Sequence, residues 1–141
     1  MELRQPRRGD APRIAALLDQ LGYPTAPEQI EVRLRRLAAS GADATWVAEH
    51  DGEIVGVAGL HVSPSLEHDA DVAKVSELVV DERFRRQGIG RALMAEVERE
   101  ARRRGCTLLF LTTAERRNEA HRFYRRLGFE ETGRRFAKSL D

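Results

Sequence analysis

The chain is poor in most residue types that mark a special environment. It has one cysteine in 141 residues, so neither an internal disulfide nor a multi-cysteine metal knuckle is available to it. Cys106 stands at the mouth of the apolar run 107–111 and reads as a buried thiol acting as a small hydrophobe. No segment approaches the ~20 apolar residues of a membrane span. Residues 1–9 are polar and arginine-bearing with no apolar run after them, which makes a cytoplasmic location the default expectation. Charge of one sign is also missing: 24 Lys and Arg against 23 Asp and Glu leave a net charge of +1, which does not suit the chain as a whole to nucleic acid. His61, His68 and His121 lack metal-ligand spacing, and no metal is expected.

What is present is a hydrophobic fraction of 41% and a charged fraction of 33%, the balance of a soluble globular protein. The length suits one domain, residues 1–141, able to close a core without staples. No repeat, low-complexity tract or linker interrupts it.

Periodicity supplies the elements. A short strand at residues 3–5 leads to a helix with Asp10 as its N-cap, Pro12 in its first turn, and Ile14, Leu17, Leu18 and Leu21 on one face; Gly22 ends it. Thr25 and Glu28 form a capping-box pair for a second helix starting near Pro27 and carrying Ile30, Leu34 and Leu37. From Thr45 the period shortens to two, and Asp51-Gly52 is a tight hairpin turn ahead of a strand at 54–62. A polar loop at 64–71 precedes a long strand at 72–80. The helix over 88–104 sets Ile89, Leu93, Val97 and Ala101 at helical spacing beneath an arginine and glutamate coat. A buried strand at 108–113, a helix at 118–127 closed by Gly128, and one or two strands within 129–140 complete a mixed α/β or α+β domain, a partly parallel seven-stranded sheet with four helices.

The most informative segment runs from Leu78-Val79-Val80 through Arg85-Arg86-Gln87-Gly88-Ile89-Gly90-Arg91. A strand-to-helix turn of this kind points free backbone N–H groups and the positive end of a helix dipole at one spot. Gly88 and Gly90 remove side chains that would keep a phosphate away, and arginines 85, 86 and 91 add charge. The alternative is a solvated helix start.

Arg85-Arg86-Gln87-Gly88-Ile89-Gly90 resembles the Q/R-x-x-G-x-G/A signature of the GCN5-related N-acetyltransferases, and Glu77-Leu78-Val79-Val80-Asp81 looks like that family's central strand. A second segment, Asn118-Glu119-Ala120-His121-Arg122-Phe123-Tyr124 continuing to Gly128-Phe129, resembles its N-x-x-A-x-x-F-Y-x-x-x-G-F pattern. The resemblance covers essentially the whole chain. It implies acetyl-coenzyme A as co-substrate, its pyrophosphate held by the amides of the turn and its pantetheine arm along Leu78, Val79 and Val80. The cofactor cleft would open between that strand and the one at 108–113. Asn118 would cap its helix and contact the cofactor arm, and Tyr124 would stand near the thioester sulfur. The alternative for Tyr124 is a core ring packed beside Phe123.

Acetyl transfer to a primary amine, directly through a tetrahedral intermediate, needs a deprotonated amine, a stabilised oxyanion and a proton for the leaving thiolate. Tyr124 suits the last demand, being a phenol. A backbone N–H of Val79 or Val80, freed by a bulge as in relatives, would meet the second. Glu77 is the candidate base, directly or through water; alternatively it pairs with an arginine or faces solvent.

Acceptor choice is expected from the first two helices and the loop, through Tyr23, Glu28, Glu67, His68, Asp69 and Asp71. An acidic rim would favour a polyamine-like or aminoglycoside-like molecule or a peptide; solvated charges are the alternative. A non-catalytic acyl-coenzyme A sensor on the same scaffold is the rival reading. A nucleic-acid module built on the helix from Arg91 to Arg104 is disfavoured by the interleaved Glu96, Glu98 and Glu100 and by the scarcity of aromatics. The edge at 136–140 offers a surface for a homodimer.

Overall fold

The computed structural model describes residues 1–113 and 118–141. The chain divides into two compact units, Met1–Leu109 and Phe110–Asp141.

The first unit is built on strands β1 (Glu2–Arg4), β2 (Asp43–His50), β3 (Glu53–Ser63) and β4 (Val72–Val80) and helices α1 (Ala11–Leu21), α2 (Pro27–Ala39) and α3 (Ile89–Arg103). A fifth strand, β5 (Leu109–Phe110), lies at the boundary, and the sheet order is β1-β2-β3-β4-β5. The first three pairings are antiparallel. The β2–β3 hairpin closes on Asp51 and Gly52, with φ of 49° and 80°, the two left-handed positions that let a two-residue turn follow the twist of its strands.

Alternation along β3 assigns the faces. Val57 belongs to a buried cluster with Ala11, Ile14, Leu17, Ile30, Val47, Ile54 and Val79, so α1 and α2 cover that side. At the preceding position a methyl group on Gly56 would meet Leu93 at 3.0 Å and Ile89 at 3.3 Å, which puts α3 on the other. The buried stripe of α3 is Ile89, Leu93, Met94, Val97 and Ala101. On its outer face the arginines are matched by glutamates: Glu96 with Arg99, Glu98 with Arg102, and Glu100 with Arg103 and Arg104.

Both expected helix caps differ. The carboxylate of Asp10 accepts from Arg4 Nη1 at 2.8 Å, Arg4 Nη2 at 3.1 Å and the Arg7 amide at 2.7 Å; an ion pair with Arg4 of β1 has displaced the capping role. Ahead of α2 the reciprocal bond runs from the Ala26 amide to Gln29 Oε1 at 2.9 Å, while Thr25 Oγ1 donates to the Tyr23 carbonyl. The pairing with Glu28 was one residue out of step.

The second unit contains α4 (Asn118–Arg126). Among the described residues the sheet has five strands and not the expected seven, and 129–141 carries no strand. That tail has no alternation of apolar and polar positions to bury, and Phe136 and Leu140 are 93% and 94% exposed. The expected buried strand over 108–113 is reduced to Leu109–Phe110, with Leu108 and Phe110 exposed. Cys106 is half-buried, and burial pushes its thiol pKa up.

Candidate functional site

The strand β4 leads directly into the turn that carries the first motif. Leu78, Val79 and Val80 pair with Ala58, Val57 and Gly56 of β3. Val79 is buried in the α1/α2 core, whereas Leu78 and Val80 are half-buried. The expected bulge is present but lies earlier than Val79–Val80. The register steps from Gly59↔Glu77 to Leu60↔Val75, leaving Ser76 as the extra residue of β4.

At the end of β4, Asp81 begins a single 3₁₀ turn over Glu82–Phe84 and accepts from the Arg83 amide at 3.0 Å. Its side chain is 1% exposed. Arg83 Nη2 and Arg13 Nη2 each donate to Asp81 Oδ2 at 2.8 Å. The Arg83 bonds, opposed by burial and helped by Arg13, hold the carboxyl far below the ordinary carboxylate range. Arg13 also donates from Nε and Nη2 to the Ile54 carbonyl at 3.1 and 3.0 Å, tying α1 to β3.

The chain then reverses through Arg86, φ 64°, and Gly88, φ 83°. Only the second is a glycine; Arg86 holds a left-handed conformation costly to a branched side chain. Gly88 is the N-cap of α3 and no side chain caps the helix. The first intrahelical bond runs from the Ala92 amide to the Gly88 carbonyl at 3.0 Å, so the amides of Ile89, Gly90 and Arg91 have no acceptor within the helix. A methyl group at Gly88 would meet nothing within 4 Å. Arg85, Arg86, Gln87 and Arg91 are exposed around this opening, while Ile89 anchors the helix in the core. Open space, helix-start amides and the positive end of a fifteen-residue helix make a cradle for a phosphate-sized anion.

Glu77 is half-buried. Among the described residues no hydrogen bond or ion pair reaches its carboxylate; burial, with the charge of Asp43 added, pushes its pKa up. Among the described residues it therefore has no arginine partner. Asp43 itself accepts from Ser40 Oγ at 2.7 Å and from His61 Nδ1 at 2.9 Å. Burial raises its pKa, but those two bonds and the nearby cations outweigh it and the net shift is downward.

Asn118 and Tyr124 belong to the second unit, on α4. Asn118 is the first residue of the helix and exposed. Tyr124 is half-buried and its ring meets Phe123 and Phe129 edge to face, with centroids 5.3 and 5.8 Å apart.

The proposed acceptor-selecting groups are dispersed. Tyr23 and Glu28 are exposed between and on the first two helices, and Glu67, His68, Asp69 and Asp71 are exposed along the loop. Among the described residues no group of three His, Cys, Asp or Glu is placed to hold a metal ion, and no helix is long and apolar enough to cross a membrane.

Three features escaped the sequence: the Arg13–Asp81 pair, whose members are 68 positions apart, the Ser40–Asp43–His61 chain, and the lie of Glu77 against Gly59. Only the last left a signal, a glycine inside a strand pattern, which marks a bulge or a close approach.

A five-stranded sheet covered by helices on both sides, with strand β4 running into the start of α3, is a mixed α+β architecture. The model of the acetyltransferase (GNAT) family matches residues 13–129, and the chain belongs to that family. It is 42% identical over 94 residues to the aminoalkylphosphonate N-acetyltransferase of Salmonella typhimurium, a match covering 67% of this chain and 61% of that enzyme. It is 31% identical over 136 residues to the aminoglycoside N(6')-acetyltransferase type 1 of Stenotrophomonas maltophilia, covering 94% and 88%. The crystal structure of a transcriptional regulator from Bacillus halodurans superposes with a TM-score of 0.88 at 25% identity, covering 99% of each chain.

Proposed function

We propose that the chain is a single N-acetyltransferase domain that moves an acetyl group from acetyl-coenzyme A to a primary amine of a small molecule. The observation that carries the reading is the uncapped start of α3 behind Arg86 and Gly88, with open space at Gly88. Its free amides and exposed arginines fit a pyrophosphate, and Leu78, Val79 and Val80 lead to it from the strand. Family membership supports the identity of the anion as a coenzyme A ester, which supplies an acyl group activated as a thioester. Asn118 would contact the cofactor arm, as in the family pattern.

The amine arrives as an ammonium and must lose a proton before its lone pair can attack. Glu77 is the group we assign to that task, directly or through one water, because its carboxylate has no ion-pair partner among the described residues and burial raises its proton affinity. Tyr124 is assigned the opposite transfer, giving its phenolic proton to the departing thiolate, whose pKa lies within about two units of its own. A small-molecule acceptor is favoured by the names of the relatives, which act on an aminoalkylphosphonate and on an aminoglycoside.

Isothermal titration with acetyl-coenzyme A tests the core of this reading. Micromolar binding by the wild type, lost in Gly88→Trp with the circular dichroism spectrum retained, is the expected outcome. A folded wild type that binds no acetyl-coenzyme A would overturn it. Thiol release across a panel of an aminoalkylphosphonate, an aminoglycoside, a polyamine and glucosamine 6-phosphate then identifies the acceptor.

A further inference from the structure

The bulge at Ser76 and the glycine facing it belong together. On β3 the residue opposite Glu77 is Gly59, and on β2 the residue opposite Gly59 is Thr45. A Cβ built on Gly59 would lie 2.9 Å from Glu77 Cδ, closer still to Glu77 Oε1, and 3.2 Å from Ser76 Cβ. The Glu77 side chain therefore does not extend along its own strand. It folds over the backbone of β3 into the space that a side chain at position 59 would fill. Gly59 is not among the residues with positive φ, so its backbone makes no demand for glycine. The demand comes from the carboxylate.

The next row of the sheet explains what that placement achieves. Asp43 stands opposite His61, one side-chain row from Thr45 and Gly59. Hydrogen bonds from Ser40 and His61 fix its carboxylate in place. By folding toward β2, the Glu77 carboxylate leaves solvent and comes under the charge of Asp43, the two conditions that favour its protonated form.

We infer that Gly59 is a positioning residue: it keeps open the space over β3 in which the Glu77 carboxylate rests, and so sets the location of the proposed base. The inference rests on the assignment of Glu77 for its catalytic meaning, though not for its geometry. A methyl group at position 59 meets chiefly the far end of a flexible side chain, which can swing away, so the fold survives while the carboxylate moves. Ser76 has to give by a few tenths of an ångström.

The test is Gly59→Ala, read first by carboxyl-carbon NMR titration in protein labelled at glutamate carboxyls, with Glu77→Gln identifying the resonance. Glu77 in the wild type should titrate above the ordinary carboxyl value, and in folded G59A it should move back toward that value. An unchanged Glu77 titration in folded G59A overturns the inference. Thiol release from acetyl-coenzyme A with an accepted amine from the panel gives the second readout. G59A and E77Q should each lower kcat by about 10²-fold with KM for acetyl-coenzyme A unchanged, and the double variant should be no slower than E77Q alone. If E77Q retains full activity while G59A shifts the titration, the assignment of the base fails and the positioning stands. If E77Q is slow and G59A is not, the inference fails and the base stands. Should G59A not fold, Gly59→Ala combined with Glu77→Ala must fold, because the clashing carboxylate is gone; a double variant that also fails to fold would show that the obstacle is not Glu77.

Discussion

Glu77 and Asp81 are two acids four positions apart on and just beyond one strand, and the fold treats them in opposite ways. Asp81 is the more buried, yet two arginines and a backbone amide hold it ionised far below the ordinary range. Glu77 has its carboxylate turned out of solvent and, among the described residues, only another carboxylate for electrostatic company; burial first and Asp43 second raise its proton affinity. Burial alone does not distinguish a structural acid from a reactive one. The partners do. Asp81 fastens the turn that leads into α3; Glu77 is the acid we propose as the base.

The largest expected effect separates them by activity. Glu77→Gln should lower kcat by about 10²-fold, equivalent to about 3 kcal/mol of transition-state stabilisation, with the urea midpoint not lowered and acetyl-coenzyme A affinity unchanged. Asp81→Asn should do the reverse. It takes the buried acceptor from two guanidinium groups and should cost about 2–4 kcal/mol in urea unfolding, the lower end favoured because Arg13 and Arg83 reach solvent and both keep Glu53 as a partner. A stable D81N would mean that the buried pair is not what holds the turn.

Next in size, Tyr124→Phe should slow thiol release by about one to two decades while the aromatic packing with Phe123 and Phe129 persists. Equal rates would return Tyr124 to a packing role alone.

Stability against pH sharpens the contrast further, because the two signs are opposite. The folded pKa of Asp81 lies below its unfolded value, so its contribution is complete above about pH 5 and drains away as pH falls below about 4. The folded pKa of Glu77 lies above its unfolded value, so it carries no penalty below about pH 4, and stability is lost as pH rises through the folded pKa. Chemical unfolding between pH 3 and 7 should therefore show a shallower acid loss in D81N than in the wild type, and an E77Q protein as stable as the wild type or more so at pH 7. The smallest effect belongs to the helix surface: Glu98→Gln, which breaks an exposed pair with Arg102, should shift stability by no more than about 0.5 kcal/mol.

Legibility in the sequence followed the range of the interactions. The apolar stripe of α1, the Asp51-Gly52 turn, the full span of β4 and the start of α3 all arise from neighbours within a few positions, and all were readable there. The caps of α1 and α2 were misread because Asp10 is claimed by Arg4 from another element and because Ala26 and Gln29 make the reciprocal bond one residue later. The bulge was expected three to four residues too late, since its place depends on which residues of β3 face β4. The Glu77–Gly59–Thr45 row needs three strands in register before it exists at all. The final strands were expected from hydrophobic residues at 129, 136 and 140, but three apolar side chains without an alternating pattern do not specify a register.

The link from Arg13 to Asp81 also has a thermodynamic reading. Because α1, β3 and the entry to the turn are already fastened to one another by that guanidinium, this part of the proposed anion site would have little conformational freedom left to lose when a ligand arrives. Preorganisation of this kind moves the entropic cost of ordering the turn from the binding event to folding. Arg13, on a different helix from the cradle and with its charge turned toward Asp81, would then govern affinity by how sharply it confines the turn.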